Sequence, residues 1–347
     1  MPIRTPVSYI GVAVLIIAGA GWFLSVQYES SARALTRGES TWGERIRAVG
    51  GSAAYQEFAL FVASSSRNQQ HKVAHEFGAA LYHVLGEEGL AVCDSRFSFG
   101  CFHEFLGRAI AEKGFAAVPR LNEGCREAMS TNVLACQHGI GHGVLASAGY
   151  ERVDLLKALA ICKDLPYSDT IGGCYGGVFM EYNVRTMLGE EAAPREDEGG
   201  AHEPCASLAP DFRYACYYWQ PQWWKQGFLE GQELGNTYAR MGSFCLEVKE
   251  QNDRRACFEG IGNITAQASD FRGAESATLC DAVSSLVQHQ TLCRSIAANH
   301  LGLDASAAEA EKACQGLFGD YREYCLQYAS NRANLAEKIE LLGASDI

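Results

Sequence analysis

Apolar positions recur at helical spacing along most of the chain. In Tyr150–Pro166, Val153, Leu155, Leu156, Leu159 and Ile161 form a stripe on one side of a helix, with Cys162 near its end. A turn-rich gap follows, and Cys174 opens a second apolar segment, CYGGVFMEYNVRTML. The same order returns through the chain: helix, cysteine, turn, cysteine, helix, then a glycine such as Gly114, Gly149 or Gly227 near the next link. Each unit predicts a helical hairpin with its cysteines flanking the turn.

The cysteines measure the repeat. Fourteen of them fall into seven pairs, Cys93/Cys101, Cys125/Cys136, Cys162/Cys174, Cys205/Cys216, Cys245/Cys257, Cys280/Cys293 and Cys314/Cys325, spaced by 8, 11, 12, 11, 12, 13 and 11 residues. First cysteines succeed one another at steps of 32, 37, 43, 40, 35 and 34, a period of stacked supersecondary units. No pair has C-x-x-C spacing and there is no C-x-x-C-H, so disulfides are expected rather than zinc knuckles or covalent c-type haem. A hairpin without cysteines is predicted before the seven, with helices near 41–64 and 68–85. Short two-helix units cannot bury a core alone, and stacking completes one. The resemblance to tetratricopeptide-like repeats is architectural only: that family's consensus residues are missing, and none of its sites carries over.

The predicted fold is all-α: an N-terminal transmembrane helix, then about eight disulfide-stapled hairpins, stacked as an α/α superhelix or closed as a toroid. Residues 1–30 are read as a cytoplasmic stub and signal anchor, 31–40 as a linker, 41–336 as the repeat domain and 337–347 as a tail. The anchor is Tyr9–Val26, 18 residues without a charge and just long enough to span a bilayer core. Arg4 before it favours a cytoplasmic amino end and an exported body. A cleaved signal peptide is the alternative, since Ala32-Arg33-Ala34 has the form of a cleavage site. Either way the body faces an oxidising extracytoplasmic space, the periplasm or its equivalent, where disulfides persist. The net charge of −12 excludes a nucleic-acid backbone as principal partner. Six acidic residues lie in the insertion Gly189–Pro204, expected to be a solvated loop; it lacks the spaced ligands of an EF-hand.

Aligning the second helices on their opening cysteine (residue 69 standing in for the first) exposes a polar column. Two residues on stand His71, His103, His138, Gly176, Tyr218, Glu259, Ser295 and Gln327; six residues on stand His75, Gly107, His142, Met180, Gln222, Asn263, Asn299 and Asn331. The two offsets share one helix face, opposite the cysteine. Glycines flank that face at Gly139, Gly141, Gly143, Gly260 and Gly262, where they would let helices approach closely.

The first three units hold five of the nine histidines. Two pairs at i, i+4, His71/His75 and His138/His142, can each offer two imidazoles to one metal, with His103 in register between them. They are the candidate ligands of a zinc, copper or iron ion, or of haem. Glu76, Glu104 and Glu181 lie near enough in sequence to complete a ligand shell or act as a general base. No H-E-x-x-H, nucleophile elbow, Walker loop or dinucleotide fingerprint is present, so whether the protein is an enzyme is left open. The alternative function is a scaffold that binds a partner protein or extended polymer along Tyr218, Gln222, Glu259, Asn263, Ser295, Asn299, Gln327 and Asn331. His83, His202, His289 and His300 fall off the column. Tyr217, Tyr218, Trp219, Trp223 and Trp224 are expected to pack a core. Asn263-Ile264-Thr265 matches a glycosylation pattern but lies within a predicted helix.

Overall fold

A computed structural model describes residues 39–129, 133–165, 171–188, 193–197 and 199–330. Fifteen α-helices and no strands occur among them. The apolar run Tyr9–Val26, the Ala32–Ala34 site, Asn331 and the 337–347 tail lie outside the described residues. Among those described, no helix is long and apolar enough to cross a membrane.

All seven predicted cysteine pairs are joined: Cys93–Cys101, Cys125–Cys136, Cys162–Cys174, Cys205–Cys216, Cys245–Cys257, Cys280–Cys293 and Cys314–Cys325. Their Cα atoms are 5.4–5.7 Å apart. Closing a loop of about ten residues contributes roughly 2–3 kcal/mol to each unit, if unstrained.

The second helices are α3 (Arg67–Leu85), α4 (Gly100–Lys113), α6 (Val133–Ala148), α8 (Cys174–Val184), α9 (Pro210–Trp223), α11 (Gln251–Ala268), α13 (Val287–Asp304) and α15 (Gly319–Ser330). Each packs on the next, forming one continuous row. The first arms stack beside the row: α1 (Glu39–Val49) with α2 (Gly51–Val62), α5 (Val118–Met129), α7 (Arg152–Lys163), α10 (Leu234–Glu247), α12 (Gly273–Ala282) and α14 (Ala307–Ala313). The start of the row approaches its later members: Arg67 at the head of α3 reaches the Asp304 carboxylate at the end of α13 at 3.8 Å and lies 4.4 Å over the Phe271 ring.

The expectation that each second cysteine opens its helix holds in the earlier units and is corrected in the last four. Cys101, Cys136 and Cys174 lie within the first four residues of α4, α6 and α8. Cys216, Cys257, Cys293 and Cys325 instead lie well inside α9, α11, α13 and α15, with more than a full turn of helix before each. The residues between the cysteines are the reason. Pro210 begins α9 with its φ already set for a helix, and Asp211, Asp253 and Asp320 place carboxylates in the first turns of α9, α11 and α15, where the helix dipole favours them. The helices therefore start early and the turns shorten. The register of the column is unaffected, because it counts from the cysteine and not from the helix end.

Two units are not α-hairpins, which also corrects the predicted pattern. The first arm before Cys93 is a 3₁₀ helix, Gly86–Val92, and the arm at Cys205 is a three-residue 3₁₀ turn. In the former, two glycines within seven residues weaken α-helix propensity, and only Gly89 and Leu90 are buried. The first arm of the cysteine-free unit is also divided, at Gly50, whose φ of 84° suits glycine.

The row is close-packed because glycine removes side chains at its crossings. A Cβ on Gly141 would overlap the Cys174 carbonyl oxygen, one on Gly177 the His138 oxygen, and one on Gly260 the Tyr218 oxygen. Alanine at any of them would push two helices apart. The helical cost of glycine, about 0.5–1 kcal/mol, is offset by that contact.

The acidic insertion is anchored rather than simply solvated. Arg195 is buried, lies 3.6 Å over the Trp223 ring and donates Nε–H to Asn183 Oδ1 at 3.1 Å. Its carbonyl accepts from Trp223 Nε1 at 2.8 Å, and that of Ala201 accepts from Trp224 Nε1 at 2.6 Å. The expected loop is thus pinned to α9 through its one arginine, while Glu196 and Asp197 remain exposed. Tyr217, Tyr218, Trp223 and Trp224 are buried core residues, as expected.

Candidate metal centre

Helices α3, α4 and α6 are consecutive in the row, and their column faces turn toward one another. All five column histidines converge. Ring centroids of His71 and His75 are 4.7 Å apart, and those of His138 and His142 are 4.9 Å apart. His103 lies between the pairs, 5.4 Å from both His71 and His75, 5.7 Å from His138 and 4.5 Å from His142. Two groups of three can hold an ion: His71, His75 and His103, and His103, His138 and His142. Within each group the ligand atoms lie within 4.8 Å of one another.

The paired rings face each other through nitrogen. His75 Nε2 is 3.1 Å from His71 Nε2, and His142 Nε2 is 3.1 Å from His138 Nε2. The outward nitrogens have acceptors. His71 Nδ1 donates to the Phe97 carbonyl at 2.8 Å, and His142 Nδ1 to the Glu181 carboxylate at 2.9 Å. His75 Nδ1 faces Glu104 at 3.8 Å, and His138 hydrogen-bonds the backbone of Gly172. Outer acceptors of this kind fix the tautomer and orientation of metal-bound imidazoles. His103 differs: 4 % exposed, it has no hydrogen-bond partner at either ring nitrogen.

Burial first, and then the neighbouring histidines, push the His103 imidazolium well below the usual histidine range. Burial and His142 do the same to His138. Both rings are therefore neutral at neutral pH, the state in which imidazole ligates a metal.

Sulfur takes no part in either group. All fourteen cysteines are bridged, and Cys216, Cys257, Cys293 and Cys325 are buried staples of the later units, where no histidine triad forms among the described residues.

The three carboxylates expected near the site hold different positions. Glu181 is fully buried and accepts from His142, from the Tyr150 hydroxyl at 2.5 Å, from Thr186 Oγ1 at 2.6 Å and from the Met187 amide at 3.0 Å. With its oxygens so engaged it holds the orientation of His142. For Glu104, burial alone would raise its pKa. The nearby His75 ring and the Arg108 charge outweigh that, holding it below the ordinary carboxylate range. Arg108 Nε lies 2.7 Å from it. Glu76 contributes no atom to either three-ligand group.

Several residues around the rings escaped the sequence reading. Phe97, Ser98 and Phe99 all have left-handed backbone, with φ of 58°, 49° and 62°. Each such non-glycine residue costs of order 1–3 kcal/mol, and the strained turn presents the Phe97 carbonyl to His71. Trp219 stands 5.3 Å from the His138 ring, held by Nε1 donation to the Ile171 carbonyl at 3.0 Å. Met187 fills the space above Gly107, where α4 lacks a column side chain. None of these has a local sequence signal; each comes from another unit or from a turn.

The remainder of the column turns mostly to protein partners. Glu259 is buried, accepting from Arg255 Nε at 2.9 Å and the Tyr214 hydroxyl at 2.6 Å. Arg255 in turn bonds Tyr324, which donates to Tyr328, both at 3.2 Å. Ser295 bonds the Thr291 carbonyl at 2.6 Å, and Asn299 donates to the Tyr328 carbonyl at 3.0 Å. Tyr218 is buried, and Gln222, Asn263 and Gln327 are half-buried. Of the off-column histidines, His289 stacks on Phe258 at 4.1 Å and His202 pairs with Glu247 at 3.1 Å. Thr265 of the Asn263-Ile264-Thr265 pattern is buried within α11. No family model matches the chain, and no curated protein or solved structure matches it either.

Proposed function

We propose that this is an exported metalloprotein whose histidine cluster binds a transition metal. The observation that carries the reading is the convergence of five imidazoles into two three-nitrogen groups, each closed to within 4.8 Å. Imidazole nitrogen suits zinc, copper and iron, and every cysteine of the chain is tied in a disulfide, so no thiolate competes for the ion. Haem fits poorly: paired nitrogens 3.1 Å apart leave no room for a macrocycle between them. The seven disulfides fit an oxidising extracytoplasmic environment. The run Tyr9–Val26 is proposed as the membrane anchor, and the approach of Arg67 to Asp304 supports a closed rather than an open stack. The scaffold alternative loses support where Glu259, Ser295 and Asn299 spend their polar groups within the protein.

Elemental analysis of chain purified without a polyhistidine tag tests the reading. Bound metal, or uptake of zinc or copper that vanishes in His75→Ala/His142→Ala, is expected. A chain that carries no metal and takes up none would reject it.

A further inference from the structure

We infer that the cluster holds two divalent ions, copper(II) the preferred occupant, joined by His103 acting as a bridging imidazolate. This rests on the metal-binding reading and extends it in number and linkage. The Phe97 carbonyl can only accept, so the proton of His71 lies on Nδ1 and its Nε2 carries a lone pair. Glu181, already accepting from a hydroxyl and an amide, sets the same tautomer in His142. Glu104 faces Nδ1 of His75, and Gly172 bonds His138. In the His138/His142 pair this brings two nitrogen lone pairs together 3.1 Å apart, and the Nε2 atoms of His71 and His75 stand at the same separation. Such lone pairs repel unless a cation lies against both. Two nitrogens on one ion, at metal–nitrogen lengths of about 2.0–2.1 Å, stand roughly 2.8–3.4 Å apart for right-angled to tetrahedral geometry. The observed separation is the bite of a single ion, and it occurs twice.

His103 supplies the link. It belongs to both three-ligand groups, its ring sits between the pairs, and both nitrogens are buried without a hydrogen-bond partner. Nitrogens on opposite sides of one imidazole cannot both serve the same ion. Serving one ion each requires loss of the remaining N–H proton to solvent. The products are an imidazolate and two metal–nitrogen bonds, with no change in oxidation state. Charge is also provided for, because the imidazolate and the Glu104 and Glu181 carboxylates behind His75 and His142 bring three negative charges to four positive ones. An all-nitrogen set at the top of the divalent affinity order favours copper(II).

Titrating full-length, tag-free chain with copper(II) and recording its electron paramagnetic resonance tests this. Two ions per chain are expected, with most of the integrated signal lost, because an imidazolate bridge couples the two unpaired spins. His103→Ala, verified as folded by circular dichroism and by absence of free thiols, should regain a full-intensity signal for whatever copper it binds. One ion per chain, or two with full signal in the unaltered protein, would overturn the bridge while leaving metal binding intact. No copper bound at all would overturn both.

Discussion

The two ends of the polar column solve the same problem in opposite ways. Around α11 and α15, buried polar groups answer one another: the Glu259 carboxylate takes Arg255 and Tyr214, and Arg255 leads on to Tyr324 and Tyr328. Around α3, α4 and α6 the inward groups are all imidazole nitrogens, and one ring has no hydrogen-bond partner at either nitrogen. Burying polar atoms costs free energy unless they are satisfied. One end is complete within the chain; the other leaves the His103 ring without a hydrogen-bond partner. Equivalent repeat positions thus encode either a closed polar network or a cluster of like groups, depending on whether donors and acceptors are mixed or of one kind.

The contrast can be broken most forcefully at the self-satisfied end. Arg255→Met leaves Glu259 buried without its guanidinium, and a loss of about 3–5 kcal/mol is expected. A urea melt with disulfides intact measures it, and an unchanged midpoint would mean that the network is no strut. At the histidine end, zinc or copper at about 100 times its dissociation constant should stabilise the chain by about 2.7 kcal/mol. That shift in melting temperature should persist in any folded Arg255 variant and vanish in His71→Ala/His138→Ala. His103→Phe removes a buried imidazole without partners and should stabilise the metal-free chain by about 1–3 kcal/mol. With metal present the same change should weaken the stabilisation; a destabilised metal-free variant would count against an unsatisfied ring.

The smallest effect concerns His289. Burial, and then the Arg254 charge, hold its pKa below the ordinary value, so it is neutral when folded. Below about pH 6.5 the unfolded chain binds a proton that the folded one still refuses, and stability therefore falls as pH drops. His289→Phe, which keeps the stack on Phe258, should lessen that fall in pH-dependent melts, the remainder coming from His103 and His138.

Much of this was legible in the chain. Cysteine spacing alone predicts all seven staples, and counting two and six residues from them predicts the register of His71, His75, His103, His138 and His142. That succeeds because a short loop between two cysteines leaves few alternatives and a helix has one period. Helix starts were less legible: Cys216, Cys257, Cys293 and Cys325 mark the face of their helices but not the first turn, which the residues ahead of them decide. Features that depend on distant units were not legible. The docking of Arg195 on Trp223 and the engagement of Glu181 by His142 and Tyr150 depend on residues that meet only after stacking. Glu181 shows the limit best. Its sequence position marks a carboxylate near the site, whereas its role follows from four partners, none of them within the same helix.

The disulfides have a temporal consequence. His103 and His138 each lie two residues beyond a bridged cysteine, Cys101 and Cys136. Oxidation of the thiols is then the event that aims those rings. In a reduced chain α4 and α6 lose that tether, whereas His71 and His75 stand on the cysteine-free α3. On the proposed metal-binding reading, the ion is acquired only after the thiols are oxidised, and chain trapped in the reduced state should emerge without it.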